Sequence, residues 1–371
     1  MDEWYDIVVV GAGIQGVAVA DEAGRRGKRV LVLEQFDQPA QGTSSKSSKL
    51  IHGGLRYLES FQFRLVYECL SERSRLLRKY PDLVRLQKFY IPIYKDTSRS
   101  GLMIRLGLSL YAGLAGCRKD NRFRKLSRAE WGGLDGLSSE GLHAVYQYYD
   151  AQTDDALLTR RVLEESGADV CYQAVLESCR REDGRLLVDY SSDGQLRQVA
   201  ARWLVNAAGP WVNHVADRCH PQPDKLEVDL VQGAHIELPG QLSQGCYYME
   251  APQDRRAVFA IPWRGHIMIG TTETIFDGNP SDCCATNQEI DYLLEVYNHY
   301  FPNRRMALDD VITSWAGLRV LPRTESSPFG RSRDTFLVPD DANDPMVYAI
   351  YGGKLTSHHA TAVKLLDQLR L

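Results

Sequence analysis

Six residues near the start of the 371-residue sequence carry its clearest chemical signal: Gly11-Ala12-Gly13-Ile14-Gln15-Gly16. They follow the apolar run Tyr5-Asp6-Ile7-Val8-Val9-Val10 and open a stretch, Val17 to Arg26, that reads as a helix ending at Gly27. A second apolar run, Arg29 to Leu33, ends in Glu34. Glycines at these positions allow a tight turn (Gly11), close approach of the backbone to a pyrophosphate (Gly13), and close helix–strand packing (Gly16). The helix start presents free N–H groups and the positive end of its dipole, about 0.3–2 kcal/mol for an anion placed there. Glu34 is placed to accept from a ribose hydroxyl and to repel a 2′-phosphate. Strand, glycine turn, helix, strand and acid in this order predict a dinucleotide site.

These groups need a scaffold, and composition permits an ordinary globular one. Hydrophobic residues are 44% and charged residues 25% of the chain, which excludes a disordered, collagen-like or coiled-coil protein. The net charge of −4 and pI near 6.2 give no overall basic surface for nucleic acid. Length suggests two domains or one large two-part fold. The acidic start Met1-Asp2-Glu3-Trp4 lacks the features of a secretory leader, and no stretch reaches the roughly 18 apolar residues of a membrane span. Eight dispersed cysteines (69, 117, 171, 179, 219, 246, 283, 284) include no C-x-x-C pair, so no metal site and a cytoplasmic protein with reduced thiols are expected.

The stretch after Glu34 distinguishes the possible cofactors. The segment Gln41 to Glu59 is rich in hydroxyls and glycines, yet it contains Leu50-Ile51 and Tyr57, which a solvated linker would not favour. Small donors, close glycines and fixed cations suit a backbone lying against a planar, partly anionic ligand. The stretch Thr43-Ser44-Ser45-Lys46-Ser47-Ser48-Lys49-Leu50-Ile51-His52-Gly53-Gly54-Leu55-Arg56-Tyr57-Leu58-Glu59 closely resembles the FAD-dependent glycerol-3-phosphate dehydrogenases and oxidases, members of the D-amino-acid-oxidase-like flavoproteins. Further pieces recur in order: Asp154-Asp155-Ala156-Leu157, Asn206-Ala207-Ala208-Gly209-Pro210-Trp211-Val212, Gly233-Ala234-His235-Ile236, Ile261-Pro262-Trp263 and Ile269-Gly270-Thr271-Thr272-Glu273. Trp315 to Pro322, Arg333-Asp334 and Gly352-Gly353-Lys354-Leu355-Thr356 complete the set.

The resemblance implies an α/β fold, a Rossmann-like FAD-binding domain interleaved with a β-sheet (α+β) substrate domain. Segments 1–90, 145–228 and 310–371 would form the first, and 91–144 and 229–309 the second. It implies FAD held by Gly11, Gly13, Ile14, Gln15, Gly16, Glu34 and Gln35 and by Thr43, Ser44, Ser45, Lys49, Leu50, Ile51, His52 and Gly53. Val175 would lie by the adenine, Ala207, Gly209 and Trp211 by the diphosphate and ribose, and Gly353, Lys354, Leu355 and Thr356 by the flavin. Helix Lys354 to Leu369 would point its N-terminus at the flavin's pyrimidine edge.

The implied reaction is oxidation of sn-glycerol 3-phosphate to dihydroxyacetone phosphate by hydride transfer from C2 to flavin N5. Arg56, Arg319 and Lys354 would hold the phosphate, with Tyr57 and Thr272 adding hydrogen bonds. His52 and His235 are the candidates for the hydroxyl proton, and the cations are the alternative stabilisers of a developing alkoxide. Arg319 also stands out by itself, lying between Trp315, Leu318 and Leu321, where an unpaired cation is costly. An amine, amino-acid or 2-hydroxy-acid oxidase, and a non-catalytic flavin-binding protein, are the rival readings.

The segment Ser98 to Lys125 interleaves Leu102-Met103-Ile104, Leu106, Leu108, Leu110-Tyr111 and Leu114 with Arg99, Arg105, Arg118, Lys119, Arg122, Arg124 and Lys125. That pattern fits either a helix packed on its own protein or peripheral contact with an anionic membrane face. The sequence does not choose among oxygen, a quinone or another carrier as the electron acceptor. Three features depart from the family pattern. The sequence ends at Leu371, where the family has a further helical domain. Ser357-His358-His359 stands where an aromatic residue and an arginine are usual, a change expected to loosen phosphate binding. Arg319-Val320 replaces an arginine–proline pair.

Overall fold

Ile7 to Val10 are apolar on both faces because their strand is covered on both faces. In the computed structural model, which describes residues 3–116, 121–323 and 335–371, strand Glu3–Val10 runs parallel to Gln195–Asn206 on one side and to Val30–Leu33 on the other. Among the described residues this first sheet has nine strands. Its main path is Cys219–His220, Ala174–Glu182, Arg185–Ser192, Gln195–Asn206, Glu3–Val10, Val30–Leu33 and Asp169–Cys171. Val347–Tyr351 joins it by parallel pairing with Gln195–Asn206 and by antiparallel pairing with Phe336–Pro339. Helix α1 (Ile14–Arg25) packs Val17, Val19, Ala20 and Ala23 against this sheet, together with Leu158, Val162, Leu365 and Leu366.

The second sheet has ten strands among the described residues. Its path is Thr274–Phe276, Val228–Leu238, His266–Gly270, Ala257–Trp263, Cys246–Glu250, Val84–Tyr94, Leu142–Thr153 and Leu50–Ile51. Thr313–Pro322 pairs antiparallel with Val228–Leu238, and Arg124–Lys125 with Leu142–Thr153. Helix Asn287–Tyr300, started by a Thr286/Glu289 capping box, lays Leu293, Val296 and Tyr297 on Ile236, Ile267 and Ile269. Leu50–Ile51 and Thr313–Pro322 come from segments expected in the cofactor domain, yet they pair in this sheet. The two layers therefore interleave more finely than the expected segment limits.

The loop between the sheets, residues 52–57, is tied down by buried charge. Helix α2 (Phe63–Lys79) carries Arg73, whose guanidinium donates to the Asp150 carboxylate, to the Asn121 amide oxygen and to the Tyr149 carbonyl (3.0 Å for the last). Helix α3 (Gly101–Leu114) contributes Tyr111, whose hydroxyl donates to Asp150 at 2.7 Å and accepts from the Gly53 amide at 2.7 Å. Burial raises the Asp150 carboxyl's proton affinity, while the adjacent guanidinium and hydroxyl oppose that rise. A side chain on Gly53 would collide with Tyr111 and Leu70. The seven described cysteines are free thiols; Cys117, Arg118, Lys119 and the Arg333-Asp334 motif lie outside the described residues.

Arg73 and Asp150 are both almost fully buried, so removing one member leaves an uncompensated charge in the core. Asp150→Ala is expected to lower folding stability by about 3–5 kcal/mol. Chemical denaturation of the purified variant measures it.

Candidate functional site

Strands ending at the same edge of a sheet deliver their succeeding turns to one place. Val10, Leu33, Asn206 and Ala349 lie in register across four neighbouring strands, so the turns at Gly11, Glu34, Ala207 and Gly352 emerge side by side. From this edge a cavity of about 510 Å³ runs to the second sheet. Its wall passes from Glu34, Phe36 and Val175 through Gly11, Gly13, Ser44 and Gly209 to Arg56, Tyr57, Tyr248, Phe259 and Glu273.

Glycines keep the first part of this wall open. Gly11 has φ +103°, and a Cβ there would sit 2.8 Å from the Ala207 carbonyl oxygen. A Cβ on Gly16 would lie 1.9 Å from the Gly11 carbonyl, so strand and helix can approach as they do only with glycine there. The start of α1 has no cap from its own N-cap residue, Gly13; instead the Ile14 amide donates to the Ser44 hydroxyl at 2.8 Å. The Glu34 carboxylate is buried, accepting from the Ala12 amide at 2.6 Å and the Phe36 amide at 3.1 Å. Burial raises its proton affinity and these backbone donors lower it.

Most of the expected cofactor residues line the cavity: Gly11, Gly13, Ile14, Gln15, Glu34, Gln35, Thr43, Ser44, Leu50, His52, Val175, Ala207, Gly209, Trp211, Gly353, Lys354, Leu355 and Thr356. Five do not. Gly16 lies beneath the turn, and Ser45 turns its hydroxyl to the Gly42 carbonyl. Ile51 is fully buried, and Gly53 is pinned by Tyr111. Lys49 is the clearest correction: its ammonium is buried in an ion pair with Asp155 at 2.6 Å and donates to the Ser45 carbonyl. Asp155 also accepts from the Ser47 amide and hydroxyl. The lysine thus folds the serine-rich loop onto helix Asp155–Ser166.

At the second-sheet end, Arg56, Tyr57, Arg319 and Lys354 meet, and His52 and His235 line the same cavity. Arg56 Nη2 lies 3.6 Å and Arg319 Nη1 3.8 Å from one carboxylate oxygen of Glu273. Arg319 also donates to the Thr271 hydroxyl at 3.1 Å and the Thr272 carbonyl at 3.4 Å. A Cβ on Gly233 would lie 2.6 Å from the Arg319 guanidinium, so that glycine makes room for it. The Lys354 ammonium is buried without a hydrogen-bond partner among the described residues, 4.3 Å from the centre of the Tyr57 ring. A buried cation costs free energy unless an anion or polar group meets it.

Thr272 is turned away: its hydroxyl accepts from the Ala234 amide and donates to Glu289 at 2.7 Å, and its neighbour Thr271 takes its place in the wall. His358 is buried and its Nδ1 lies 2.7 Å from the Leu355 carbonyl, while His359 pairs with Glu22 and Glu72. Neither lines the cavity, so their departure from the family pattern does not bring a changed side chain to the cation cluster. Tyr248, Arg256, Phe259, Thr271 and Glu273 also line this end, and no sequence motif singles them out as site residues. Tyr248 and Phe259 lie in strands Cys246–Glu250 and Ala257–Trp263, while Arg256, Thr271 and Glu273 come from the loops between strands, and the sequence between residues 246 and 273 gives no periodic mark of which face inward.

His235 is fully buried, stacked on Trp315 with ring centres 5.5 Å apart, and hydrogen-bonded through Nε2 to the Ser48 hydroxyl at 2.9 Å. Burial, with Arg319 and Lys49 nearby, pushes its pKa down to about 3. It is neutral at any pH near 7 and a poor proton acceptor.

The cavity fits a flavin dinucleotide. A continuous groove without Cβ atoms at Gly11, Gly13 and Gly353 passes the start of α1, and an ammonium without a hydrogen-bond partner among the described residues stands at its far end. Fold and groove together define a flavin-dependent oxidoreductase. Residues 6–367 match the model of the family described as DAO, FAD dependent oxidoreductase, and the chain belongs to that family.

Within it, the relatives point to one branch. A glycerol-3-phosphate dehydrogenase of Pseudomonas aeruginosa is 40% identical over 99% of this chain and 72% of its own length. A D-erythritol 1-phosphate dehydrogenase of Brucella abortus is 35% identical over 99% of this chain and 74% of its own. The solved glycerol-3-phosphate dehydrogenase of Bacillus halodurans, complexed with FAD, superposes with a TM-score of 0.75 at 27% identity; the chain covers 64% of that structure.

His235 also makes stability depend on pH. Its unfolded pKa is about 6.5 and its folded pKa is depressed to about 3, so the unfolded chain takes up the proton first. Stability is fully present above about pH 6.5 and is lost as pH falls toward 3. His235→Gln, which cannot take the proton, is expected to flatten that acid limb, as melting temperatures recorded between roughly pH 7.5 and 4.5 would register.

Proposed function

We propose that the chain oxidises the secondary hydroxyl of a phosphorylated polyol, sn-glycerol 3-phosphate first among them, to the ketone. The observation that carries this reading is the convergence of Arg56, Arg319 and Lys354 at one end of the cavity, beside the wall that bears His52. A phosphate monoester carries close to two negative charges at neutral pH and suits two guanidinium forks and a point charge. The cofactor, when bound, supplies the redox chemistry by accepting a hydride from the carbinol carbon. Arg56 and Arg319 bind and orient the phosphate. His52 takes the hydroxyl proton, and Lys354 stabilises the charge that develops on that oxygen. Phe259, 6.5 Å from His52 between ring centres, Tyr248 and Tyr57 exclude water from the reacting end.

The relatives, named as dehydrogenases of glycerol 3-phosphate and D-erythritol 1-phosphate, support a polyol phosphate over an amino acid, and the pair of arginines supports it over a singly charged carboxylate. Adding glycerol 3-phosphate to the oxidised holoenzyme without oxygen is expected to bleach the visible flavin bands promptly. Arg319→Ala should weaken substrate binding by about 2–5 kcal/mol while flavin stays bound. Bands that persist with glycerol 3-phosphate but bleach with a 2-hydroxy acid or amino acid would overturn the substrate assignment.

We also propose peripheral contact with an anionic membrane face, which would bring the protein to a quinone-type acceptor. No helix among the described residues is long and apolar enough to cross a membrane. Helix α3 buries Ile104, Leu108 and Tyr111 but leaves Leu102 (67%), Leu106 (62%), Met103 and Leu110 exposed. Helix α2 and the turn before it add exposed Phe61 (77%), Phe63 and Tyr67, with Arg64 and Arg105 exposed among them. Exposed leucines and aromatics beside arginines suit the boundary between acyl chains and anionic headgroups. Flotation with phosphatidylglycerol vesicles at low salt is expected to carry the protein upward, and Leu102→Asp/Leu106→Asp to abolish it; failure of the unmodified chain to float would refute the contact.

A further inference from the structure

Phosphate recognition does not call for a carboxylate, yet one stands in the middle of the cation cluster. Glu273 is nearly buried, lines the cavity, and places one oxygen between the guanidinium groups of Arg56 and Arg319. Its backbone is fixed, because Arg256 donates to the Glu273 carbonyl at 2.8 Å and the preceding residue, Thr272, is held by Ala234 and Glu289. Arg256 itself pairs with Asp254 at 3.2 Å. Two ion pairs of Glu273, to Arg56 and Arg319, measure 3.6 and 3.8 Å, so the carboxylate is shared between these two cations.

We propose that Glu273 is a specificity-determining residue whose charge limits the pocket to dianionic phosphate esters of neutral polyols and rejects phosphate esters that also bear a carboxylate. The inference rests on the reading of this cavity end as a phosphate site and adds what that site refuses. Glu273 offsets one of the positive charges that Arg56, Arg319 and Lys354 bring to this end of the cavity. Without the carboxylate the cluster gains one positive charge, and a trianionic phosphoglycerate gains more from it than a dianionic phosphate monoester. Charge at a few ångströms in a partly water-excluded pocket acts on binding by about tenfold or more. Repulsion of the wrong ligand gives specificity that attraction to the right one cannot supply.

A purely bracing role makes the opposite prediction. If Glu273 only held the arginines in place, removing its charge would let them relax and phosphate would bind more weakly. The test titrates the oxidised holoenzyme with inorganic phosphate and with 3-phosphoglycerate, following the flavin absorbance, and measures steady-state kinetics with glycerol 3-phosphate. Glu273→Gln keeps the shape and is expected to bind both anions about tenfold more tightly, with 3-phosphoglycerate gaining more than glycerol 3-phosphate. Glu273→Asp keeps the charge and should retain the unmodified chain's selectivity. Weaker phosphate binding in Glu273→Gln, or an unchanged ratio between the two esters, would overturn the proposal. Should Glu273→Gln not fold, loss of selectivity in Glu273→Asp would likewise overturn it, and retention would support it. Flavin that glycerol 3-phosphate fails to reduce in the unmodified chain would instead defeat the proposed substrate, while the phosphate titration still decides the role of Glu273.

Discussion

The cavity depends first on a register. Val10 pairs with Leu33 on one side and Asn206 on the other, and Asn206 pairs with Ala349. One row of residues therefore ends three strands at one level, with the fourth, Val347–Tyr351, running two residues past it, and the four turns beyond have no choice but to share the same space. A one-residue slip in any of these pairings would move its turn by about 3.3 Å along the strand direction. The glycine motif alone makes a flexible turn; the register makes it one wall of a groove. Burial enforces the register, since Ile7, Val9, Val32 and Val205 are fully buried in one cluster and tolerate no displacement.

The second dependence is on buried charge, which does for the loops what the register does for the strands. Lys49 with Asp155 and Arg73 with Asp150 sit on either side of the segment that carries His52, Arg56 and Tyr57. Such pairs are weak contributors to net stability but strict about geometry, because each partner is costly to bury alone. Gly53, bonded to Tyr111, links the second pair to the loop directly. The serine- and glycine-rich stretch, which by composition resembles a surface linker, is in consequence one of the fixed parts of the molecule.

Legibility in the sequence tracks the range of the interactions concerned. The first β-α-β unit is readable because strand, glycine turn, helix and Glu34 are contiguous, and each obeys a local rule. Arg56 and Arg319 are readable as well, one from its motif and one from its apolar neighbours. Lys49 is misread as a cofactor residue for a physical reason: its partner Asp155 lies 106 positions away, and no local pattern announces a long-range ion pair. Thr272 is misread by one residue, because Thr271 and Thr272 lie in the loop between strands His266–Gly270 and Thr274–Phe276, where no alternation tells which of the two faces the groove. Glu273 is visible as the last letter of a motif and invisible as a site residue, because its meaning comes from two arginines contributed by other parts of the chain.

Those contributions also say when the site exists. Arg56 comes from the loop between the sheets, Arg319 from a strand of the second sheet, and Lys354 from the turn that ends a strand of the first. No single layer holds more than a fragment of the cluster. Like charges repel, so gathering three cations must be offset by the packing that docks one sheet against the other and by the carboxylate of Glu273 among them. The Lys354 ammonium, buried without a hydrogen-bond partner among the described residues, marks how far that compensation stops short there. An anionic ligand completes it, and its binding should therefore tighten the docking of the two layers on each other, because only the assembled pair presents the full cluster.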